Sequence, residues 1–373
     1  MDKKAKPAMK LDPVLTVAWV LAIVSAFFIK PTKEYIGYID FRSLGILWGL
    51  MVIIQGFRQN TVFEKIAGKL LSGVKKAWQL AAVLIFMCFI GSMFITNDVA
   101  LITFVPFALM VLHSCGRDDM MIPVIVFQTI AANLGSMLTP IGNPQNLYIY
   151  GLTGMSLTEF ITVMLPYTLA SAIMLGICLF LIPNKTANLE TTSDSKLISD
   201  FGSLPQIIIY CLLFIVALLS VVRIIPWYFM VAGVFIVVAI MDYQILFRAD
   251  YILLLTFIGF FIFTGNLAKI DVVSNLLGNI MEGKEFALSV ITSQFISNVP
   301  ATLMLSGFTT EYKELLAGVN VGGLGTLIAS MASLISFKAY TKEHKESSGK
   351  YFAAFTIFNI AFLIELCLLH FFL

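Results

Sequence analysis

The seven residues FITNDVA at 94–100 return as FISNVPA at 295–301, an offset of 201 positions. A second pair stands close behind each copy: ANLGSMLTPI (132–141) aligns with VNVGGLGTLI (319–328) at an offset of 187, matching Asn133 with Asn320, Gly135 with Gly322 and Thr139 with Thr326. Two motifs repeated in the same order mark an internal duplication. What the duplicated unit can be is bounded by composition.

Of 373 residues, 59% are apolar and 12% charged, with 32 Phe and a mean hydropathy of +0.93. Soluble domains carry about 45–50% apolar and about 25% charged residues, so a soluble enzyme, a nucleic-acid binder and a disordered chain are excluded. A net charge of +2 argues against a polyanionic partner. Cys88, Cys115, Cys178, Cys211 and Cys367 stand singly in apolar runs, as small hydrophobes and not as a disulfide framework or metal site. No cofactor is expected, beyond Na+ as a coupling ion. The fold class is an all-α polytopic membrane protein.

A bilayer core of about 30 Å needs roughly 20 apolar residues per helix. Suitable runs lie at 12–29, 41–57, 119–150, 159–182, 205–222, 227–242, 249–267, 314–337 and 351–372, giving about nine transmembrane helices. The first run has a basic start like a secretory signal, but it is long and lacks an A-x-A site, so it reads as a retained helix. Residues 61–74 are amphipathic and suit a membrane interface. Residues 286–308 hold two apolar arms on either side of Ser297-Asn298, each too short to span, and read as a re-entrant hairpin. Residues 77–112 have the same layout around Thr96-Asn97-Asp98, with arms long enough to be re-entrant or to cross twice.

The expected organisation is a first repeat over 1–184 (hairpin 77–112, broken helix 119–150), a cytoplasmic linker over 185–204, and a second repeat over 205–373 (hairpin 286–308, broken helix 314–337). Helix 12–29 pairs with helix 227–242, the first with the sixth crossing, so the repeats are inverted; Phe41-Arg42 and Phe247-Arg248 are read as preceding equivalent helices. With the N-terminus inside, 17 Lys and Arg fall on the inner side and 7 on the outer. The positive-inside rule therefore predicts a cytoplasmic N-terminus and an external C-terminus in a cell (inner) membrane.

Inverted repeats with broken helices are the signature of secondary transporters, whose site lies near the midplane between repeats. At a hairpin tip, carbonyls end one half-helix and N–H groups begin the next; without water these need partners, and a solute or ion can serve. The expected solute site is Asn97, Asp98, Thr139, Asn143, Ser297, Asn298 and Thr326. The prolines and glycine of LTPIGNPQN (138–146), and the four glycines of GVNVGGLGT (318–326), break the helices that form the opposite wall. A carboxylate at Asp98 is costly in a bilayer and reads as a proton or cation site, or as a ligand's partner. Glu365, near the outer interface, reads as structural as readily as functional, Arg42 and Arg248 as interfacial anchors. No GxGD or HExxH pattern supports an intramembrane enzyme.

On FITNDVALITFVP with SNVPATL, and NLGSMLTPIGNPQNL with GVNVGGLGTLIAS, the chain resembles the ion transporter superfamily, most clearly over 41–337. The similarity is to its branch of citrate–metal transporters, arsenical pump membrane subunits and some Na+/H+ antiporters, and more distantly to dicarboxylate/sodium symporters. The resemblance implies a scaffold with dimer contacts, hence a homodimer, and a moving region that carries both hairpins. It implies cation binding (Na+ or H+) by Thr96, Asn97 and Asp98 with backbone near Gly135 and Ser136, and by Ser297 and Asn298 with Gly322 and Gly323. The symporter tips read Ser-Asn-Thr; Asp98 and Val299 at the third place move the chain towards the arsenical, citrate–metal and antiporter side. The first repeat also lacks one crossing present before the second hairpin. The expected activity is movement of a small anion, a citrate-like carboxylate or an arsenite-like oxyanion, coupled to Na+ or H+, with a Na+/H+ antiporter using Asp98 as the alternative.

Overall fold

Asp12, Asp40 and Asp250 set three helix starts in the same way: each carboxylate accepts from N–H groups of the first turn, which have no acceptor within the helix. A computed structural model describes residues 12–189 and 202–373. Its helices are α1 (Pro13–Phe28), α2 (Tyr35–Tyr38), α3 (Phe41–Gln59), α4 (Val62–Leu71), α5 (Ala77–Gly91), α6 (Asn97–Ser114), α7 (Met121–Ser136), α8 (Pro144–Thr153) and α9 (Leu157–Cys178). After the linker come α10 (Leu204–Val221), α11 (Trp227–Leu246), α12 (Tyr251–Ala268), α13 (Asp271–Met281), α14 (Glu285–Ile296), α15 (Asn298–Leu305), α16 (Tyr312–Val321), α17 (Met331–Glu343) and α18 (Ser348–His370). Most of the linker predicted at 185–204 lies outside the described residues.

Among the described residues seven helices are long and apolar enough to cross a membrane, and there is no β-sheet. The chain is an all-α multi-pass membrane protein. The long run at 119–150 is two helices parted by 137–143, and the run at 314–337 is two helices parted by 322–330. The second hairpin turns on Ser297 alone, in a left-handed conformation at φ 73°. The first turns over residues 92–96.

The order of elements from α11 to α18 repeats that of α1 to α9, once the four-residue α2 is set aside. α13, which the apolar runs did not reveal, is the counterpart of α4: both are short and amphipathic, with apolar residues of α13 at 272, 273, 276, 277 and 280. α10 has no counterpart in the first half and packs on α3 and α11. The start of α3 matches that of α12 through Asp40 and Asp250, whose dihedrals agree within a degree (φ −79°, ψ 84° and 83°). This replaces the expected pairing of Phe41-Arg42 with Phe247-Arg248. Arg42 lies in the first turn of α3, whereas Arg248 lies in the turn before α12, where it donates to Gln59 Oε1 at 3.0 Å.

Packing crosses between the halves. α1 lies along α12 and α11 along α3; within each half the hairpin holds its own broken helix (α5 on α7, α14 on α16). The second arm of each hairpin then meets the other half's broken helix, α6 on α17 and α15 on α8. Every residue of α7 from Val124 to Ser136 and of α16 from Leu315 to Val321 is buried. α10, α11 and α18 present most of their apolar surface outward, as lipid-facing helices do.

Candidate functional site

Each hairpin tip is clipped to the helix break of its own half by the same backbone hydrogen bond. Asn97 N–H donates to Gly142 O at 3.2 Å, and Asn298 N–H donates to Ala329 O at 2.9 Å. The donors are 201 positions apart and the acceptors 187, the two offsets read from the motifs. Thr139 Oγ1 donates to Met93 O at 2.6 Å and accepts from Gly142 N–H at 3.1 Å. Thr326 Oγ1 does likewise with Gln294 O (2.9 Å) and Ala329 N–H (3.2 Å). The two threonines, expected to meet solute, have their hydroxyls committed to fastening tip to break.

Glycine makes the close approach possible at the matched positions Gly135 and Gly322. A methyl group on Gly135 would lie 2.0 Å from Phe89 O and 2.8 Å from Ser92 Oγ; one on Gly322 would lie 2.8 Å from Ser293 Oγ. Ser92 and Ser293 are themselves 201 apart. These glycines let α7 and α16 touch the first arms of their hairpins backbone to side chain.

Broken helices expose carbonyls that must find donors. In the first break the Asn146 amide donates to Ser136 O (3.3 Å) and Thr139 O (3.2 Å). In the second the Gln294 amide, reaching from the hairpin, donates to Gly322 O and Leu324 O, both at 3.0 Å. The same problem has two side-chain solutions.

The side chains around the tips do not follow the symmetry of the backbone. Asn97 Nδ2 donates to Asn133 Oδ1 at 2.9 Å, and Ser330 Oγ donates to the same oxygen at 3.0 Å. Asn97 Oδ1 accepts from Asp98 N–H at 2.9 Å. The first tip is thereby knotted to α17 of the other half. In the second half Asn320, the partner of Asn133 in the alignment, donates to Asn146 Oδ1 at 2.7 Å, but its own Oδ1 is buried without a hydrogen bond. Asn143, aligned with Ser330, donates to Ser136 Oγ at 2.6 Å while its Oδ1 is likewise buried and unpartnered. Ser297 Oγ, and both polar atoms of the fully buried Gln145, are in the same condition. The Asn298 amide lies beside Gly323, 2.9 Å from where a Cβ there would stand.

Leaving a buried polar atom unpaired costs about 1–3 kcal/mol. Five such atoms lie on Asn143, Gln145, Ser297 and Asn320, in or beside the second tip and the two breaks, where a polar solute or cation can pair with them. Thr96 caps α6 beside it with extended backbone, and Asp98, in the first turn, is half buried and within Coulombic reach of Asp250. Among the described residues no group of His, Cys, Asp and Glu has the geometry of a metal centre.

Of the residues predicted for the site, Asn97, Asn298, Ser136, Asn143 and Ser297 stand in this polar cluster, while Thr139, Thr326, Gly135 and Gly322 hold its frame. Asn133, Asn146, Asn320 and Ser330 were missed as site residues. Asn133 and Asn320 carried a signal, being matched asparagines within apolar helices. Asn146 and Ser330 carried none until the chain was folded.

This frame can be set beside known proteins. A family model described as a citrate transporter matches residues 7–320. The chain belongs to the citrate transporter family. It is 32% identical over 337 residues to an uncharacterized transporter of Methanocaldococcus jannaschii, covering 88% of this chain and 90% of that protein. It is 31% identical over 332 residues to the inner membrane protein YbiR of Escherichia coli (86% and 85%). A shorter match, 29% over 173 residues, links it to the silicon efflux transporter LSI3 of rice, Oryza sativa subsp. japonica, covering 44% of this chain and 34% of that one. This citrate transporter family member is therefore a multi-pass secondary transporter of anions, within the ion transporter superfamily.

Proposed function

We propose that this chain binds a small anion, a di- or tricarboxylate or an arsenite-like oxyanion, between two hairpin tips, and moves it together with Na+ or H+ across the inner membrane. The observation that carries the reading is the twin clip, Asn97 N–H to Gly142 O and Asn298 N–H to Ala329 O, around the buried unpaired atoms of Asn143, Gln145, Ser297 and Asn320. The family match to a citrate transporter favours carboxylates; the silicon efflux relative keeps a neutral or weakly acidic oxyanion within range.

In this reading the halves are inverted repeats, the N-terminus is cytoplasmic and the C-terminus external. The hairpins and broken helices move as one body against a scaffold of α1, α3, α11 and α12, and two copies join through that scaffold. N–H groups at the starts of α6 and α15 and the amide of Asn298 donate to the anion, while the Asn97 amide, bonded to Asn133, holds the first tip in place. The unpaired oxygens of Asn143, Ser297 and Asn320 take a cation, which offsets the anion's charge away from water. Asp98 supplies a protonatable site if H+ is the driver. Its half-buried place near Asp250 also favours, as a second reading, a Na+/H+ antiporter.

Thermal unfolding of the purified protein with citrate, succinate, sulfate or arsenite, each with and without Na+, tests this, because a ligand of the native state raises apparent stability. One anion with a Na+- or pH-dependent shift supports symport. No shift with any anion, but one with Na+ alone that vanishes in Asp98→Asn, supports the antiporter. Absence of any shift removes the site assignment.

A further inference from the structure

The two halves are joined differently at the two ends of the molecule. At the end near Gly154, α8 is docked on α3 and on the turn that follows α10. Arg223 donates to Gly154 O (2.6 Å) and Tyr150 O (2.7 Å), and Arg42 donates to Val221 O (3.0 Å). Gly151 is in close contact there: a methyl on it would lie 2.8 Å from Ser43 Oγ, 3.0 Å from Arg42 Nη1 and 3.5 Å from Asp40 Oδ2. In the second half a cavity of about 110 Å³ separates the start of α17, at Met331, and the hairpin tip at Ser297 and Val299 from Asp12, Asp250 and Leu253.

The register of the repeats says what would meet if that cavity closed. α3 and α12 correspond at an offset of 210, fixed by their matching caps Asp40 and Asp250. α8 and α17 correspond at 187, fixed by Gly142 and Ala329 at the twin clip and by Asn143 and Ser330, the extended residues that begin the two helices (φ −146° and −139°). Gly151 therefore corresponds to Lys338, Ser43 to Leu253 and Asp40 to Asp250. Where α8 brings a glycine to an aspartate flanked by Arg42, α17 brings a lysine to an aspartate whose neighbour Arg248 is turned to Gln59. Lys338 and Asp250 are both exposed, and neither makes an ion pair among the described residues.

The geometry points to a Lys338–Asp250 latch that closes when the hairpin-bearing body shifts and α17 docks on α12. It rests on the alternating-access reading given above. The present arrangement is one of two stations. In it, α8 is held by Arg223, and the second hairpin tip faces the cavity through Ser297. In the other, the Arg223 contacts open, the cavity is filled by α17, and Lys338 takes a place against Asp250, with Asp12 as a second acidic neighbour.

Leu253→Cys with Lys338→Cys tests the docking. Ser43 Oγ lies 2.8 Å from a Cβ at 151, which puts the two Cβ atoms of the equivalent pair in the range a disulfide needs, roughly 3.5–4.5 Å. Positions 253 and 338 are not buried, so the cysteines fit this structure without repacking. Membrane vesicles are oxidised and cross-linked peptides identified by mass spectrometry, with the five native cysteines in place. Ser43→Cys with Gly151→Cys serves as the positive control. In parallel Val299→Cys, in the cavity wall, is labelled with a membrane-impermeant maleimide in vesicles of each orientation.

The expected result is a 253–338 cross-link that confines labelling of Val299→Cys to one face, where without it both faces label. Lys338→Glu, a like charge against Asp250, should skew labelling to the face open in this structure, and adding Asp250→Asn to Lys338→Glu, which removes the repulsion and keeps a good cap, should reduce that skew. Labelling from both faces with no 253–338 cross-link overturns the latch and leaves alternating access standing. A cross-link that leaves labelling unchanged, or a Lys338→Glu variant with wild-type labelling, also overturns the latch. Labelling from one face only, with no cross-link, overturns both.

Discussion

Asn97→Ala and Asn298→Ala are equivalent changes by alignment and should behave differently. Asn97→Ala removes the 2.9 Å bond to Asn133 Oδ1 and the acceptor for Asp98 N–H. Asn133 Oδ1 keeps its bond from Ser330 Oγ, whereas Asp98 N–H is left without an acceptor near the start of α6. A lost net hydrogen bond is worth about 0.5–1.5 kcal/mol and an unpaired buried donor about 1–3 kcal/mol, giving about 2–4 kcal/mol together. The Asn298 amide has no hydrogen bond among the described residues, so its loss costs packing only, about 1 kcal/mol or less. At roughly 2 °C per kcal/mol for a chain of this size, ligand-free Asn97→Ala should melt about 4–8 °C below wild type and Asn298→Ala within about 2 °C of it. Both should lose the stabilising shift that the bound anion gives wild type, about 2.7 kcal/mol at a hundredfold excess over Kd. The assay is apparent Tm of detergent-purified protein with and without the anion. Equal losses of ligand-free Tm in the two variants would refute the asymmetry of the knot, and an intact anion shift in both would refute the site.

Gly135→Ala should prevent recovery of folded protein, since its methyl would meet Phe89 O at 2.0 Å, while Gly176→Ala, which meets nothing within 4 Å, should elute from size exclusion as wild type does. Thr139→Val and Thr326→Val each remove one clip between tip and break, and each should lower apparent Tm by an amount corresponding to about 1–2 kcal/mol, with Thr→Ser recovering most of it. Asp98→Asn keeps side-chain size and removes the charge: in proteoliposomes it should abolish H+-driven transport and leave Na+-driven uptake of an anion measurable. Loss of Na+-driven uptake as well would assign Asp98 to the solute and not to the coupling.

The fold was largely legible because its two strongest constraints are local. Apolar run lengths located α1, α3, α9, α10, α11, α12 and α18, and the doubled Asn motifs located both tips and both breaks. Less local features escaped. α13 went unread because its short amphipathic pattern, VVSNLLGNI (272–280), has no hydropathy peak; its relation to α4 shows only in the ordered recurrence of elements. The Phe-Arg dipeptides invited a pairing of Arg42 with Arg248, whereas the aspartates that cap the helices carry the true register, because a cap fixes where a helix starts and an interfacial arginine does not. At the site, sequence identified residues able to bind a solute but could not say which had spent that capacity on the protein. Thr139 and Thr326 have both donor and acceptor committed to backbone. Asn143 and Asn320 keep a buried oxygen free, and for Asn320 the amide is turned to Asn146, 174 residues away in the chain.

The contrast between a symmetric backbone and an asymmetric set of side chains has a physical reason. The clips at Asn97 and Asn298 use N–H and C=O groups that every residue but proline possesses, so substitution around them leaves the bond in place, and the geometry of a duplicated unit persists. Side chains carry no such protection. Ser136 stands where the second half has Gly323, Asn143 where it has Ser330, Asn146 where it has Ser333, and Met93 where it has Gln294. Each exchange moves a donor or acceptor from one notch to the other. In the first half the outcome is a closed knot, Asn97 to Asn133 to Ser330, with every amide atom of Asn97 engaged. In the second half it leaves Asn320 Oδ1 and Ser297 Oγ unpaired. A ligand gains from atoms that lack partners and gains little from atoms that already have them. In the first half Asn143 Oδ1 and both polar atoms of Gln145 are unpaired as well, so binding energy should come from these free atoms of both notches and not from the Asn97 knot, which serves to hold the first tip in register.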